Sequence, residues 1–144
     1  MKQKIIWMHC LHIGISLVFI LLFAGCYSEV DCNVISNFTY INNTSYTIET
    51  EIGIINPNSK IFIKEEGLGT CNIKSDEFVP PFLGNTKVIF DNIKCLTYQS
   101  GEEVGLGEGI IGIDNYVSNK ISNNHYNFTY TFTEEEYNKA VDCE

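Results

Sequence analysis

Cysteine is the residue type whose number and spacing suggest the most definite chemistry in this chain. Of six cysteines in 144 residues, four lie well beyond the apolar N-terminal stretch: Cys32, Cys71, Cys95 and Cys143. An even number of thiols outside the cytoplasm predicts two disulfide bonds, and four cysteines allow three pairings. We favour Cys32–Cys143, which would join the two ends of the domain, together with Cys71–Cys95. A zinc site is disfavoured because no Cys-x-x-Cys pair occurs and His125 is the only histidine beyond residue 12.

The acidic, glycine-rich segment 101–112 is the second place where residue types suggest a ligand. Glu102, Glu103 and Glu108 lie there among glycines, and their carboxylates could hold Ca²⁺ or meet a basic protein surface. Residues 107–112 also match G-x-G-x-x-G. A dinucleotide site requires that motif between a strand and a long helix, however, and the carboxylates would repel a pyrophosphate. We therefore interpret the segment as a flexible, solvated loop.

Tyrosines are the remaining candidates for ligand contact. Tyr40, Tyr98 and Tyr116 could stack on sugar rings if they are exposed, although a sandwich core also needs aromatic residues. No G-x-S-x-G or H-E-x-x-H motif occurs, and the neighbouring Glu134 and Glu136 are explained by helix capping. The sequence thus predicts a protein that is not an enzyme and that has no cofactor.

The charge balance restricts the class of partner. All nine basic residues are Lys, against 18 Asp and Glu. Without the first 25 residues, which hold two Lys and no acidic residue, seven Lys face 18 acidic residues, so the charge is −11. Such a field repels a phosphate backbone, which makes nucleic acid a poor candidate and leaves a glycan, a cation or a basic protein.

Residues 1–25 show the order of features of a secretory signal peptide. Two Lys precede the apolar run 13–23, and the small residues Ala24-Gly25 follow it. A membrane-spanning anchor is the alternative, because residues 5–25 approach the roughly 20 apolar residues that a span requires. Two histidines shorten the continuous apolar run and favour the signal peptide.

The end of this leader, Phe23-Ala24-Gly25-Cys26, resembles the lipobox of bacterial lipoproteins. The resemblance implies that the Cys26 thiol carries a diacylglycerol and that cleavage occurs just before it. Several acyl chains on one residue give stable anchoring. We therefore expect a lipidated tether over residues 26–33 and a single β-rich domain over residues 34–144. This places the protein in the cell envelope, anchored in the outer membrane and facing the periplasm or the cell surface.

Most of the elements that must position these side chains are predicted to be strands. Alternation is clearest over residues 125–132, where four aromatic residues share one face. Residues 38–41 and 46–52, separated by the turn-forming residues 42–45, predict a hairpin. Further strands are predicted at Lys60–Lys64, Thr86–Phe90 and Lys94–Gln99, the last two joined by the turn Asp91-Asn92.

One helix is predicted near the C-terminus. Thr133 is a suitable N-cap, and Glu136 three residues later completes a capping box. Phe132 and Tyr137 have the spacing of a hydrophobic staple, and an apolar stripe runs from Tyr137 to Val141. A helix this short must dock on the sheet to be stable.

Six or seven short strands with frequent turns predict an antiparallel β-sandwich, with the immunoglobulin type as one form, plus the short C-terminal helix. The alternative is an α+β arrangement with a single sheet covered by the helix. Residues 88–98 and 130–140 resemble segments of small uncharacterised lipoproteins of gut Bacteroidetes. The resemblance implies a surface or periplasmic β-sandwich, and it assigns no functional residue.

Three hypotheses on function follow. The leading one is a non-catalytic envelope lipoprotein that binds a glycan or a protein partner through its loops. The second is an inhibitor or immunity lipoprotein whose acidic segment 101–112 meets a basic lytic enzyme. An enzyme is the third and the least supported, and the sequence does not indicate the oligomeric state.

Overall fold

In the computed structural model, which describes residues 31–143, two β-sheets pack face to face. One sheet contains β1 (Cys32–Asn42), β4 (Lys60–Gly69), β7 (Val117–Ser122) and β8 (His125–Phe132), in the order β4-β1-β8-β7. The other contains β2 (Ile48–Thr50), β3 (Gly53–Ile55), β5 (Thr86–Phe90), β6 (Lys94–Tyr98) and β9 (Val141–Asp142), in the order β3-β2-β5-β6-β9. The helix α1 (Glu134–Lys139) follows β8, and single 3-10 turns lie at Ser75–Glu77, Gly109–Ile111 and Ile113–Asn115. The predicted sandwich with one short C-terminal helix is confirmed, and the single-sheet alternative is wrong.

The core is built from the inward-facing residues of both sheets. Phe38 and Tyr40 of β1 and Phe128 of β8 meet Val88 and Phe90 of β5, and all are fully or almost fully buried. Each such side chain stabilises the fold by about 1.5–3 kcal/mol through removal of apolar surface from water. The strict alternation of β8 between buried and half-exposed positions is the one that its sequence predicts.

The two central strands of the first sheet, β1 and β8, are parallel and carry an identical tetrapeptide. Asn37-Phe38-Thr39-Tyr40 lies beside Asn127-Phe128-Thr129-Tyr130 in a register that pairs each residue with one of the same type. The two Phe rings stack with their centroids 5.1 Å apart, and Asn37 Nδ2 donates to Asn127 Oδ1 at 2.8 Å. Such side-chain ladders fix the register of strands that are far apart in the chain. Every other strand pair in residues 31–143 is antiparallel, as predicted.

The predicted hairpin between residues 38–41 and 46–52 is wrong. β1 pairs with β4 and β8, whereas β2 pairs with β3 and β5 in the other sheet. The turn chemistry is present, but it redirects the chain between the sheets. Buried Asn42 accepts the Thr44 N–H at 3.0 Å, and its amide nitrogen lies within 3.1 Å of three backbone carbonyl oxygens. These bonds stabilise a corner in place of a hairpin turn.

The two disulfide bonds are Cys32–Cys71 and Cys95–Cys143, so the pairing that we favoured is wrong. β1 and β4 place Cys32 opposite Gly69, two residues before Cys71. β9 lies beside the start of β6, which brings Cys143 to Cys95. The Cα atoms are 5.1 Å apart in both pairs, a usual separation for a disulfide. The strand register therefore determines which cysteines pair. Our argument that a disulfide would join the two ends of the domain does not apply.

The boundaries of the domain and of the helix also differ from prediction. β1 begins at Cys32, so the last two residues of the predicted tether belong to a strand. The leader and Cys26 lie outside the described residues. α1 has the predicted capping box, with Thr133 N donating to Glu136 Oε2 at 2.8 Å, but it ends at Lys139, and Val141 is an exposed residue of β9. Within residues 31–143, no helix combines the length and hydrophobicity that crossing a membrane requires.

Candidate functional site

A cleft of about 630 Å³ opens beside α1, where the edges of the two sheets meet. Its walls are the ends of β6 and β8, the helix, and the segment between Glu108 and Val117. The side chains that give it its chemical character are Tyr98, Glu108, Tyr130, Glu135, Glu136 and Lys139. Four threonines and Asn115 add further hydroxyl and amide groups, so the cleft is suited to a polar ligand.

The cleft exists because two strands stop early. β7 begins at Val117, opposite Thr129 of β8, so no described strand pairs with the outer edge of residues 130–132. β9 covers only the first two residues of β6, which leaves the outer edge of residues 96–98 without a strand neighbour in the described region. Backbone N–H and C=O groups on such edges are available to a ligand.

Two tyrosines and one glutamate form the floor of the cleft. The hydroxyl oxygens of Tyr98 and Tyr130 are 3.5 Å apart, and both hydroxyls donate to Glu136 Oε1, that of Tyr130 at 2.6 Å. The other carboxylate oxygen accepts the Thr133 N–H of the capping box. Both oxygens of Glu136 are therefore engaged within the protein.

The electrostatics of this cluster keep the phenols protonated. Burial raises the pKa of Tyr98 well above its ordinary value of 10, and the hydrogen bond to Glu136 raises it further. Burial likewise raises the pKa of Tyr130, and the negative charge of Glu136 adds to the effect. A neutral phenol has one O–H donor and is a poor base. Because both donors are engaged by Glu136, these hydroxyls can only accept a hydrogen bond from a ligand and do not take a proton from it.

The other charged groups of the cleft lie at its rim. Glu135 Oε1 is 2.8 Å from Lys139 Nζ, one helical turn later, and both side chains are exposed. The hydrogen bond to Lys139 and its positive charge lower the pKa of Glu135. Glu108 is exposed on the opposite wall. Three carboxylates against one ammonium give the cleft a net negative charge.

The structure brings together only two of the predicted ligand-binding residues, Tyr98 and Glu108. The prediction that Tyr40, Tyr98 and Tyr116 could offer exposed rings is wrong, since all three are at most 8% exposed. Tyr116 is fixed in the core, with its hydroxyl 2.6 Å from the Ile110 carbonyl and 3.2 Å from the hydroxyl of Tyr40. Tyr40 occupies an inward position of β1 and Tyr98 an inward position of β6, whereas Tyr116 directly follows the 3-10 turn Ile113–Asn115.

The glycine-rich segment is divided between exposed and packed parts. Glu102 and Glu103 lie at an exposed tip and do not line the cleft. Ile110 and Ile111 are buried, and a Cβ at Gly109, whose φ is +51°, would overlap the ring of Tyr98. The second half of the segment is therefore a packed turn, and only the first half is the solvated loop that we predicted. No three His, Cys, Asp or Glu side chains of residues 31–143 converge as metal ligands would.

Sequence reasoning did not identify Tyr130, Glu136 and the threonines as members of one site. Their signal was present in part, because Thr129 and Thr131 alternate with Tyr130 on a strand that continues directly into the Glu136 capping box. The exposed aromatic residue that it also missed is Phe62, which is 60% exposed on the outer face of β4. Comparisons of the chain with protein-family models, with curated proteins and with solved structures found no match.

Proposed function

We propose that this protein is a non-catalytic, lipid-anchored module of the cell envelope that binds an external glycan or protein partner in the cleft. The observation that carries the proposal is the cleft itself, whose 630 Å³ falls in the range typical of ligand sites. Its polar groups stand on strands of the sandwich and on a capped helix, which hold them in fixed positions. Rigid, pre-positioned polar groups favour binding because little side-chain entropy is lost when the ligand arrives.

The state of the carboxylates favours binding over catalysis. General acid–base chemistry needs a group that can reach the substrate and exchange a proton with it. Glu136 is engaged by two phenols and a backbone N–H, and Glu135 is paired with Lys139. Neither carboxylate is therefore free to exchange a proton with a ligand, and Glu136 also ties the helix to the two phenols.

The envelope location rests on the lipobox-like end of the leader, with Cys26 as the acylated residue. Two disulfide bonds support it, because such bonds persist in oxidising compartments. Intact-mass measurement of the membrane fraction should give a polypeptide that begins at Cys26 and carries acyl chains. The Cys26→Ser variant should lose the added mass and leave the membrane, and an unacylated wild-type chain would refute the anchor.

Binding in the cleft is tested with a variant that obstructs it. Thr97 is exposed and lines the cleft, so Thr97→Arg places a long side chain across it without disturbing the core. Ser118→Arg is the matched control, since Ser118 is equally exposed on β7 and does not line the cleft. Screening of the wild type on glycan arrays and peptide arrays should give ligands whose binding Thr97→Arg abolishes and Ser118→Arg retains. Ligands that bind both variants equally would refute the cleft as the site.

An inhibitor or immunity lipoprotein is the second candidate, and the tip of the segment 101–108 favours it. Val104 is 81% exposed and directly follows Glu102 and Glu103 in the chain. An exposed apolar residue with acidic neighbours fits the surface of a basic enzyme. Neutralising Glu102, Glu103 and Glu108 together should weaken inhibition of a basic lytic enzyme and reduce its salt dependence. If neither changes, this candidate fails.

A further inference from the structure

We infer that the ligand of the cleft is an extended segment of a basic polypeptide, which adds as a strand to the open edge of β8 (residues 130–132). The inference rests on the proposed function, because it names the partner of the same site. Two independent features support it: an unpaired strand edge with room beside it, and a net negative charge at the positions where the added side chains would point.

The first feature is the missing continuation of β7. β7 runs antiparallel to β8 and starts at Val117, opposite Thr129. The residue before it, Tyr116, turns inward and is buried. The position that β7 would occupy beside residues 130–132 therefore contains no strand of residues 31–143, and it opens into the cleft. An extended chain placed there gains backbone hydrogen bonds to Thr131, as in other cases of strand addition. The backbone groups of Tyr130 and Phe132 point to β1, where Phe132 O accepts the Asn43 N–H.

The open edge of β8 is more accessible than the corresponding edge of β6. α1 and the turn Gly109–Ile111 both contact β6, and the ring of Tyr98 closes against Gly109. On the β8 side, Thr129, Tyr130 and Thr131 all line the cleft. Three residues of edge span about 10 Å at roughly 3.3 Å per residue, so the ligand needs a core of three to five residues in this conformation.

The second feature is the charge that an added strand would meet. Residues directly opposite each other in an antiparallel pair point to the same face. Ligand residues opposite Tyr130 and Phe132 would therefore point inward, towards the phenols and Glu136, while the one opposite Thr131 would point outward. The cleft holds Glu108, Glu135 and Glu136 against Lys139, which favours Lys or Arg at the inward positions and disfavours acidic residues.

A pair of capped heptapeptides tests the inference: one alternating Lys with Thr, and one with Glu in place of each Lys. Titration of the Lys peptide into the ¹⁵N-labelled domain should move the amide signals of residues 130–132 and should slow the hydrogen exchange of the Thr131 amide, which points to the open edge. The Glu peptide should bind at least tenfold more weakly, and a Lys peptide with N-methylated backbone amides should lose binding to a similar extent. Glu108→Gln should weaken binding of the Lys peptide about two- to fivefold, and Glu103→Gln, away from the cleft lining, should not.

The outcomes separate the inference from the function on which it rests. Signals that move at residues 96–98 in place of 130–132 would overturn the assignment to β8, and equal binding of the Lys and Glu peptides would overturn the basic partner. A neutral oligosaccharide that binds in the cleft when the peptides do not, with Thr97→Arg abolishing it, would overturn the inference and uphold the proposed function. If neither peptides nor oligosaccharides shift the amide signals of the residues that line the cleft, the proposed function fails as well.

Discussion

Replacing Glu136 tests the cluster at the floor of the cleft, because this one side chain accepts three hydrogen bonds. Its partners are the hydroxyls of Tyr98 and Tyr130 and the N–H of Thr133. In Glu136→Ala the two phenols, whose oxygens are 3.5 Å apart, can still bond to one another. One buried donor is then left without an acceptor, and the helix loses its capping box.

The expected cost follows from these two losses. An unsatisfied buried donor costs about 1–3 kcal/mol, and loss of an N-terminal cap costs about 0.5–2 kcal/mol. We therefore expect Glu136→Ala to lower the free energy of unfolding by about 3 kcal/mol. Glu136→Gln keeps an acceptor oxygen for the phenols and remains compatible with a capping box. It should lose only the strengthening due to charge, about 1 kcal/mol.

Urea unfolding followed by circular dichroism measures both values, with Glu135→Ala as the matched control. Glu135 lies in the same helical turn, but its partner is the exposed Lys139, and exposed ion pairs contribute little. At a slope of about 1–3 kcal/mol per molar urea, the midpoint of Glu136→Ala should fall by about 1–3 M. A loss no greater than that of Glu135→Ala, or an equal loss in the Gln and Ala variants, would refute our account of the cluster.

Three further predictions use the same unfolding assay. Phe128→Ala should lower the free energy of unfolding by about 3–5 kcal/mol, because the ring is fully buried and stacks on Phe38. Phe62→Ala, which removes a ring that is 60% exposed, should change the free energy of unfolding by no more than about 0.5 kcal/mol. Stability should fall as the pH rises above about 10, where the phenols of the unfolded chain lose their protons. In the folded state burial raises the pKa of four tyrosines, so these phenols keep their protons to a higher pH. These residues are Tyr40, Tyr98, Tyr116 and Tyr130, and their tyrosinate absorbance should appear only on unfolding; titration of all tyrosines in the folded protein would contradict this. Peptide mapping without reduction should find Cys95 linked to Cys143, and a peptide that links Cys71 to Cys95 would contradict the fold. Replacing both Cys95 and Cys143 by Ser should lower the free energy of unfolding by up to about 4 kcal/mol.

Local chemistry was readable from the sequence. The hairpin of β5 and β6 is confirmed, and its turn residues Asp91 and Asn92 have positive φ angles of 48° and 57°, as a tight hairpin turn requires. β8 and the capping box of α1 are also as predicted. In each case the signal lies within about ten residues, where alternation and side-chain-to-backbone bonds determine the conformation.

Long-range pairing was not readable in the same way. The disulfide partners depend on which strands lie side by side, and our choice relied on the ends of the chain instead. The tetrapeptide shared by residues 37–40 and 127–130 was a visible signal for the pairing of β1 with β8, and it was missed. β7 was missed because all six of its residues are exposed, so it has no alternation between buried and exposed positions. The cleft was missed for a related reason, since it arises from where β7 and β9 stop relative to other strands.

The positions of the two disulfides also determine how the domain would respond to mechanical tension. A pull on the chain ahead of Cys32 passes through the covalent bond to Cys71, so the backbone between them, which contains β1 to β4, cannot be extended. The segment from Cys95 to Cys143 is bypassed in the same way. Only the chain between Cys71 and Cys95 could lengthen under force applied at the two ends. Because β1 belongs to the first bypassed segment and β8 to the second, such a force would load their parallel pairing, and the chain from Cys71 to Cys95 would limit how far the two strands could separate.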